Sequence, residues 1–330
     1  MRRTYGFRKV PFSTFNRFDA TYAFRGAFKL KYRGEFNHLF KYTDLLLQGD
    51  FNEPSLSNFF GLGNNTVIDK SKSIRYYVAR YKYLEASVML RKRYFNKLSI
   101  MAGPYFYQYW FNPESNKGKI LQYPSILSLD SSEVYDKKTY AGGKLAIELN
   151  NLNNELFPTR GIQWNTELSF LSGLTRKANE LTKLTSDMTI YASLSSFARL
   201  VTVIRIGGGH IFSKNFEYFQ AVNLGANNYL RGFRKNRFSG SSLAYGSLEM
   251  RVKLFSSRWY IMPGDVGLIA FDDAGRVWMK NQSSSRWHNA AGGGIYFVPF
   301  NTVLVSAIIA FSREENLLNF SAGTKINITF

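Results

Sequence analysis

The sequence predicts an all-β chain, a transmembrane antiparallel up-and-down β-barrel with about 14 recognisable strands. Three observations carry this. Polar and apolar residues alternate with period two along nearly the whole chain. Many of the alternating runs reach ten residues or more. Long polar connections alternate with very short ones. A helix turns every 3.6 residues and would scatter such sets around its circumference, whereas a strand sorts them onto two faces. Ten tilted residues are about what a strand needs to cross a bilayer.

In chain order, strands are predicted at 14–24, 27–37, 41–51, 74–90, 96–110, 138–150, 161–171, 185–196, 199–211, 243–255, 264–277, 287–298, 302–311 and 320–330. In the second, Phe28, Leu30, Tyr32 and Phe36 oppose Lys29, Lys31, Arg33 and Glu35. In the seventh, Ile162, Trp164, Thr166, Leu168 and Phe170 oppose Gln163, Asn165, Glu167 and Ser169. In the eighth, Met188, Ile190, Ala192 and Leu194 oppose Asp187, Thr189, Tyr191, Ser193 and Ser195. In the tenth, Leu248, Met250, Val252 and Leu254 oppose Glu249, Arg251 and Lys253. Long segments lie near 52–73, 111–137, 172–184 and 212–242, with a shorter one near 278–286. Tight joints fall near 37–39, 95, 196–197, 256–257 and 299–301. Long loops at one rim and tight turns at the other describe an outer-membrane barrel.

Composition narrows the alternatives. The 330 residues carry a net charge of +20, and 17% are aromatic, including 29 Phe and 21 Tyr. Disordered chains are poor in aromatics, so disorder is excluded. With no Cys and 3 His, disulfides, thiolate metal sites and a cysteine nucleophile are impossible. The longest uncharged run, near 287–312, is broken by Gly292, Gly293, Gly294 and Pro299, which suits strand–turn–strand and not a spanning helix. The first residues, MRRTYGFRKVPFSTF, lack the apolar core of a signal peptide.

A soluble β-sandwich or propeller also alternates. A propeller would show a repeat of about 40–50 residues, and none is visible. A sandwich needs no aromatic bands at strand ends. Here Tyr105, Phe106, Tyr107, Tyr109, Trp110 and Phe111 crowd one strand end, and Tyr76, Tyr77, Tyr81 and Tyr83 another, as expected of interfacial girdles. The opposing face, with Lys144, Glu148, Glu167, Asp187, Arg205, Glu249 and Arg251, is expected to line a watery lumen.

The charge also invites nucleic-acid binding, but the cations are dispersed over many polar faces without a recognition motif, and no nucleic acid is expected. A basic rim or lumen suits lipopolysaccharide phosphates or anionic polypeptide equally well. Nothing points to an enzyme. His38, His210 and His288 are scattered, the glycine triplets lie in strands, and Asp272 and Asp273 point to opposite faces. No catalytic residue, metal or cofactor is expected.

Four motifs remain. The chain ends GTKINITF, placing Ile326, Ile328 and Phe330 on one face with Gly323 ahead. This ending resembles the C-terminal signal of bacterial outer-membrane proteins. Leu230-Arg231-Gly232-Phe233 lies in the long loop after the ninth strand, led by Leu224-Gly225-Ala226-Asn227-Asn228-Tyr229. Phe271-Asp272-Asp273-Ala274-Gly275 lies in the strand beyond Glu249, and Phe157-Pro158-Thr159-Arg160-Gly161 opens the seventh strand. In order and spacing the set resembles the outer-membrane assembly and translocation superfamily, of BamA/TamA or bacterial-surface-antigen type, over residues 12–330.

That resemblance implies a non-enzymatic barrel of about 16 strands in which Arg231 folds into the lumen to meet Glu249 and Asp273, with Phe271 and Gly275 as the strand motif. A guanidinium between two carboxylates makes forked, charge-assisted bonds and would pin the loop. It further implies a seam between first and last strands at which client outer-membrane or secreted polypeptides pair, with outer-membrane lipid, lipopolysaccharide and accessory lipoproteins as partners. We expect residues 1–330 to be a single barrel domain without periplasmic POTRA modules, and the two strands still missing to precede Arg2. The lead-in and the stretch FNEPSLSNFFGLGNN resemble barrels of Bacteroidetes-type bacteria, some of which follow a phosphoesterase. The alternative expectation is therefore a passive pore or membrane anchor for an enzyme domain outside this chain.

Overall fold

The structure is a computed structural model. It describes residues 2–3, 13–23, 26–127, 129–193, 198–226, 229–258, 260, 262–280, 282–300 and 302–324. Fourteen long strands run in chain order: β1 (Thr14–Ala23), β2 (Ala27–Phe40), β3 (Thr43–Asn58), β4 (Val78–Tyr94), β5 (Leu98–Phe111), β6 (Lys138–Leu152), β7 (Gly161–Gly173), β8 (Leu181–Ser193), β9 (Leu200–Ile211), β10 (Ser242–Ser257), β11 (Gly264–Trp278), β12 (His288–Pro299), β13 (Val303–Ser312) and β14 (Asn316–Thr324). Each pairs antiparallel with its neighbours in sequence, in one continuous sheet. Arg2–Arg3 adds a short pairing outside β1. Among the described residues no ladder joins β1 to β14, and the sheet they form ends at β1 with Arg2–Arg3 on one side and at β14 on the other.

Period two decides what each face carries. One lateral row on the outer face, Leu200, Val252, Leu268, Ile295, Ala307 and Phe320, stays in register across six strands. Ile295 is 59% exposed and Phe320 74%, while Asp273 on the opposite face is 1% exposed. Apolar residues that are exposed and polar ones that are buried invert the order of a soluble protein. The Arg and Lys of this row's flanking positions, such as Arg251 and Lys253, turn to the opposite face, as expected where an Arg or Lys near mid-bilayer costs about 2–4 kcal/mol.

Several sequence expectations shift. The loop expected from residue 52 begins at 59, because β3 continues through Pro54. Its ladder with β4 breaks register between Asn52 and Ser55, and such a bulge accommodates a residue without an N–H. The joint expected at 37–39 lies at Lys41 and Tyr42. Phe95 and Asn96, with φ of 53° and 56°, make the next tight turn. The last strand, expected at 320–330, starts at Asn316, and residues 325–330 lie outside those described. Leu194, Ser195, Asn227 and Asn228 also lie outside.

The aromatic girdle needs a larger correction. Tyr77 and Tyr109 are buried, and Tyr81, Tyr107 and Tyr109 pack with Tyr218 and Phe219 from the loop after β9. Period two puts Tyr81, Tyr83, Tyr105, Tyr107 and Tyr109 on the lumenal face together, where Tyr81, Tyr107 and Tyr109 meet the loop and Tyr83 packs on Tyr81 and Tyr107.

Candidate functional site: the inward loop and its lumenal clamp

The connection from β9 to β10, residues 212–241, fills the long-loop end of the lumen. Its first turn, Tyr218–Gln220, is closed reciprocally by Glu217 and Gln220. Glu217 forms an ion pair with Lys138 at the start of β6, both side chains withdrawn from water. The Tyr218 hydroxyl meets that of Tyr109 at 2.7 Å, and Phe219 stacks on Tyr109 at 3.9 Å. Burial pushes the Tyr218 hydroxyl well above its ordinary range, so it stays protonated and able to donate.

A small hairpin follows, β-residues Val222–Leu224 pairing with Phe238–Gly240. Leu224 rests on Gly275 of β11, where a Cβ would lie 2.8 Å from the Leu224 side chain. At the tip, Tyr229 (φ 82°) stacks on Tyr245 at 3.8 Å with an interplanar angle of 2°. Arg205 lies beside this ring pair, its guanidinium 4.3 Å from the Tyr229 centroid and 6.0 Å from that of Tyr245, and grips Asp187 through two bonds of 2.7 and 3.1 Å. The Tyr245 hydroxyl donates to the same Asp187.

Arg231 comes next. Its backbone N–H donates to Asp273 Oδ2 at 3.0 Å, its Nε to the same oxygen at 2.9 Å, and its Nη2 to Oδ1 at 2.7 Å. Nη1 donates to Glu249, and Nη2 also to Ser247 Oγ at 3.0 Å. The guanidinium lies over the Phe271 ring, 3.6 Å from its centroid. Burial alone would lower its proton affinity, but the Asp273 and Glu249 carboxylates reverse this and hold it above its ordinary range. The Arg231 carbonyl accepts from Asn319 of β14 at 3.3 Å.

Gly232 passes so close to the wall that a Cβ would lie 2.6 Å from that of Ala290 and 3.1 Å from the Phe311 carbonyl oxygen. Leu230 and Phe233 are buried in the cluster that joins the loop to β6, β9, β10 and β11. Thus Leu230, Arg231, Gly232, Phe233, Glu249, Phe271, Asp273 and Gly275 converge on one place. Asp272 faces outward and takes no part. Gly323 lies in β14 opposite Leu304, while Ile326, Ile328 and Phe330 lie outside the described residues. Among the described residues no three His, Asp or Glu side chains gather to hold a metal ion.

Sequence reasoning missed four contacts: Lys138 with Glu217, Tyr229 on Tyr245, Arg234 on Glu315 through two bonds of 2.6 Å, and Arg237 on Glu314. Arg237 carried no local signal, being one of three cations in the run Arg234-Lys235-Asn236-Arg237.

An antiparallel meander with an apolar exterior, a polar interior and a loop clamped inside defines a transmembrane β-barrel protein. Residues 18–328 match the Omp85 superfamily domain. The chain belongs to the Omp85 superfamily, a family of outer-membrane barrels. It is similar in fold to BamA from Haemophilus ducreyi lacking POTRA domains 1–3, with a TM-score of 0.66 at 15% identity over 94% of this chain. It is also similar to CdiB from Escherichia coli and from Acinetobacter baumannii, each with a TM-score of 0.54 at 12% identity over 90% of this chain. The chain spans 64% of that BamA chain and 52% and 50% of the two CdiB chains. None of the curated proteins matches it.

Proposed function

We propose that this barrel inserts or translocates other polypeptides at the bacterial outer membrane. A client strand adds by β-augmentation at a seam between β1 and β14. The loop 212–241 stays in the lumen through Arg231 and steadies the wall while the edges part. The step is non-enzymatic and needs no nucleotide, because burying a client's apolar face in lipid supplies the driving force. What supports the reading is one arrangement: two sheet edges without a mutual ladder among the described residues, beside a loop whose Arg231 carbonyl accepts from β14 itself.

The partners follow from this reading. Clients are unfolded outer-membrane or secreted polypeptides, with accessory lipoproteins on the tight-turn side. Lipopolysaccharide surrounds the long-loop rim, where exposed Lys70, Lys72, Arg286 and Arg313 line a cavity of about 550 Å³ suited to its phosphates.

The test is reconstitution. Vesicles containing the barrel should speed the folding of a urea-denatured outer-membrane β-barrel at least several-fold over empty vesicles. Depletion in cells should lower the level of many outer-membrane barrels together. Unaccelerated folding, with loss of a single pathway in cells, would leave a pore or an anchor for an enzyme domain as the function.

A further inference from the structure

The segment FFGLGNN, residues 59–65, has so far had no role. It follows β3 on the N-terminal side of the sheet, where Phe59 and Phe60 pack with Tyr77, yet Asn64 reaches the C-terminal side. Asn64 is 1% exposed. Its backbone N–H donates to Gln282 Oε1 at 3.3 Å, and its Nδ2 to Ser284 Oγ and the Arg286 carbonyl, both at 2.9 Å. Its Oδ1 accepts from the Val277 N–H at 3.1 Å, and its carbonyl oxygen meets His288 Nε2 at 3.0 Å. Every polar group of this residue is therefore satisfied by β11, β12 and their connection. An amide is suited to this, because it donates and accepts at once in a fixed plane.

Arg237 makes a second crossing. Its side chain is 1% exposed, and its Nε and Nη2 grip Glu314 at 2.6 and 2.8 Å. Its Nη1 and Nη2 also donate to Thr66, at 2.6 Å to Oγ1 and 2.5 Å to the carbonyl. Glu314 sits in the turn between β13 and β14, the last hairpin of the sheet, while Thr66 follows β3. One guanidinium thus touches both sides of the seam. Arg234 holds the adjacent Glu315, and on the other side the Lys235 carbonyl and Asn236 bind Asn58 and Ser57 of β3.

We propose that residues 59–66 and 234–237 form a strap across the seam at the long-loop end, latched by Asn64 and Arg237, which must be released before β1 and β14 can part there. The proposal rests on the reading that these edges separate during function. The strap closes the mouth by buried hydrogen bonds and ion pairs, not by a strand ladder. Such contacts have two discrete states: docked, with every group paired, or undocked into water. Intermediate displacements leave buried polar groups unpaired, so the strap acts as a switch.

The chain has no Cys, so a pair of introduced thiols labels uniquely. Tyr22→Cys and Leu318→Cys place nitroxides on outward, exposed positions of the two edge strands. Distances between them are measured in lipid nanodiscs by pulsed electron resonance. The labelled parent should give one narrow distribution. Asn64→Ala with Arg237→Gln should broaden it and shift it outward by more than one strand spacing, about 5 Å. Urea-denatured client barrel added to the labelled parent should produce the same shift and expose residues 59–77 to protease.

If the unlatched variant keeps the narrow distribution while client still widens the parent, the strap is wrong and the opening seam stands. If neither treatment moves the labels, the seam reading fails and takes the strap with it. Folding of each variant is checked by its heat-dependent gel mobility. Should the double variant not fold, Glu314→Gln removes one charge at nearly constant shape and should give an intermediate shift. An unchanged distance in Glu314→Gln, with Arg237→Lys also unchanged, overturns the latch.

Discussion

Replacing Arg231 by alanine tests the clamp most directly. The substitution removes every side-chain bond from the guanidinium to Asp273, Glu249 and Ser247, and leaves Asp273, 1% exposed, with only a backbone N–H as partner. Glu249 keeps Arg251 at 2.7 Å, so one carboxylate, not two, is orphaned. Breaking a buried pair by deleting one partner costs about 3–5 kcal/mol, because the remaining charge stays desolvated. At about 2 °C per kcal/mol, the lower end for large domains, this is a fall of about 6–10 °C in the midpoint of heat-dependent gel mobility.

Protease cutting within 212–241 should rise in parallel. Arg231→Lys should fall between, since an ammonium cannot fork onto Asp273 while reaching Glu249. The double variant Arg231→Ala with Asp273→Ala should regain part of the loss, because no buried charge is left alone. Unchanged midpoint and unchanged loop cleavage in Arg231→Ala would refute the tether.

Three other perturbations probe separate parts of the molecule. Gly232→Val should undock the loop tip, since even a Cβ there lies 2.6 Å from Ala290 Cβ, whereas Gly275→Ala meets only the end of Leu224; equal protease sensitivity of the two would contradict the close-approach argument. Lys138→Met leaves the buried Glu217 charge without its counter-ion, though still bonded to the Gln220 N–H, and should cost about 3 kcal/mol; adding Glu217→Gln should restore most of the thermal midpoint, and no recovery would show that the buried charge is not the cause. Met250→Arg on the lipid face should lower stability by about 2–4 kcal/mol in urea titrations of vesicle-folded protein. Leu on the lumenal neighbour Arg251 should instead disturb Glu249, and a harmless Met250→Arg would reverse the assignment of faces.

Much of this architecture was visible in the amino-acid order because strands declare themselves locally. Lys29, Lys31, Arg33 and Glu35 turn inward while Phe28 and Leu30 turn outward, and alternation alone says so. The Arg231 constellation was also within reach, through a resemblance linking residues 42 positions apart. The tyrosines were not. Period two states that Tyr105, Tyr107 and Tyr109 share a face, but an amphipathic ring suits both a headgroup layer and a packed lumen. Only the loop's Tyr218 and Phe219 decide between the two. Asn64 and Arg237 were hidden for a different reason. Their partners are separated by as many as 224 and 171 residues, and nothing local to either side chain indicates where a loop lands.

The packing of the loop against Tyr140, Leu171, Ile211, Leu243 and Val277 also bears on electrical leak. Leu224, Leu230, Phe233 and Phe238 set hydrocarbon into that end of the bore, while a cavity of about 460 Å³ lies between the loop's Asn223 and Tyr229 and the wall residues Glu167, Lys183, Asp187 and Arg205. An ion entering from that side would have to shed its hydration against side chains that cannot replace it, a transfer costing on the order of tens of kcal/mol. A docked loop therefore places hydrocarbon in the path of ions at that end, and releasing it should raise the conductance measured in a planar bilayer.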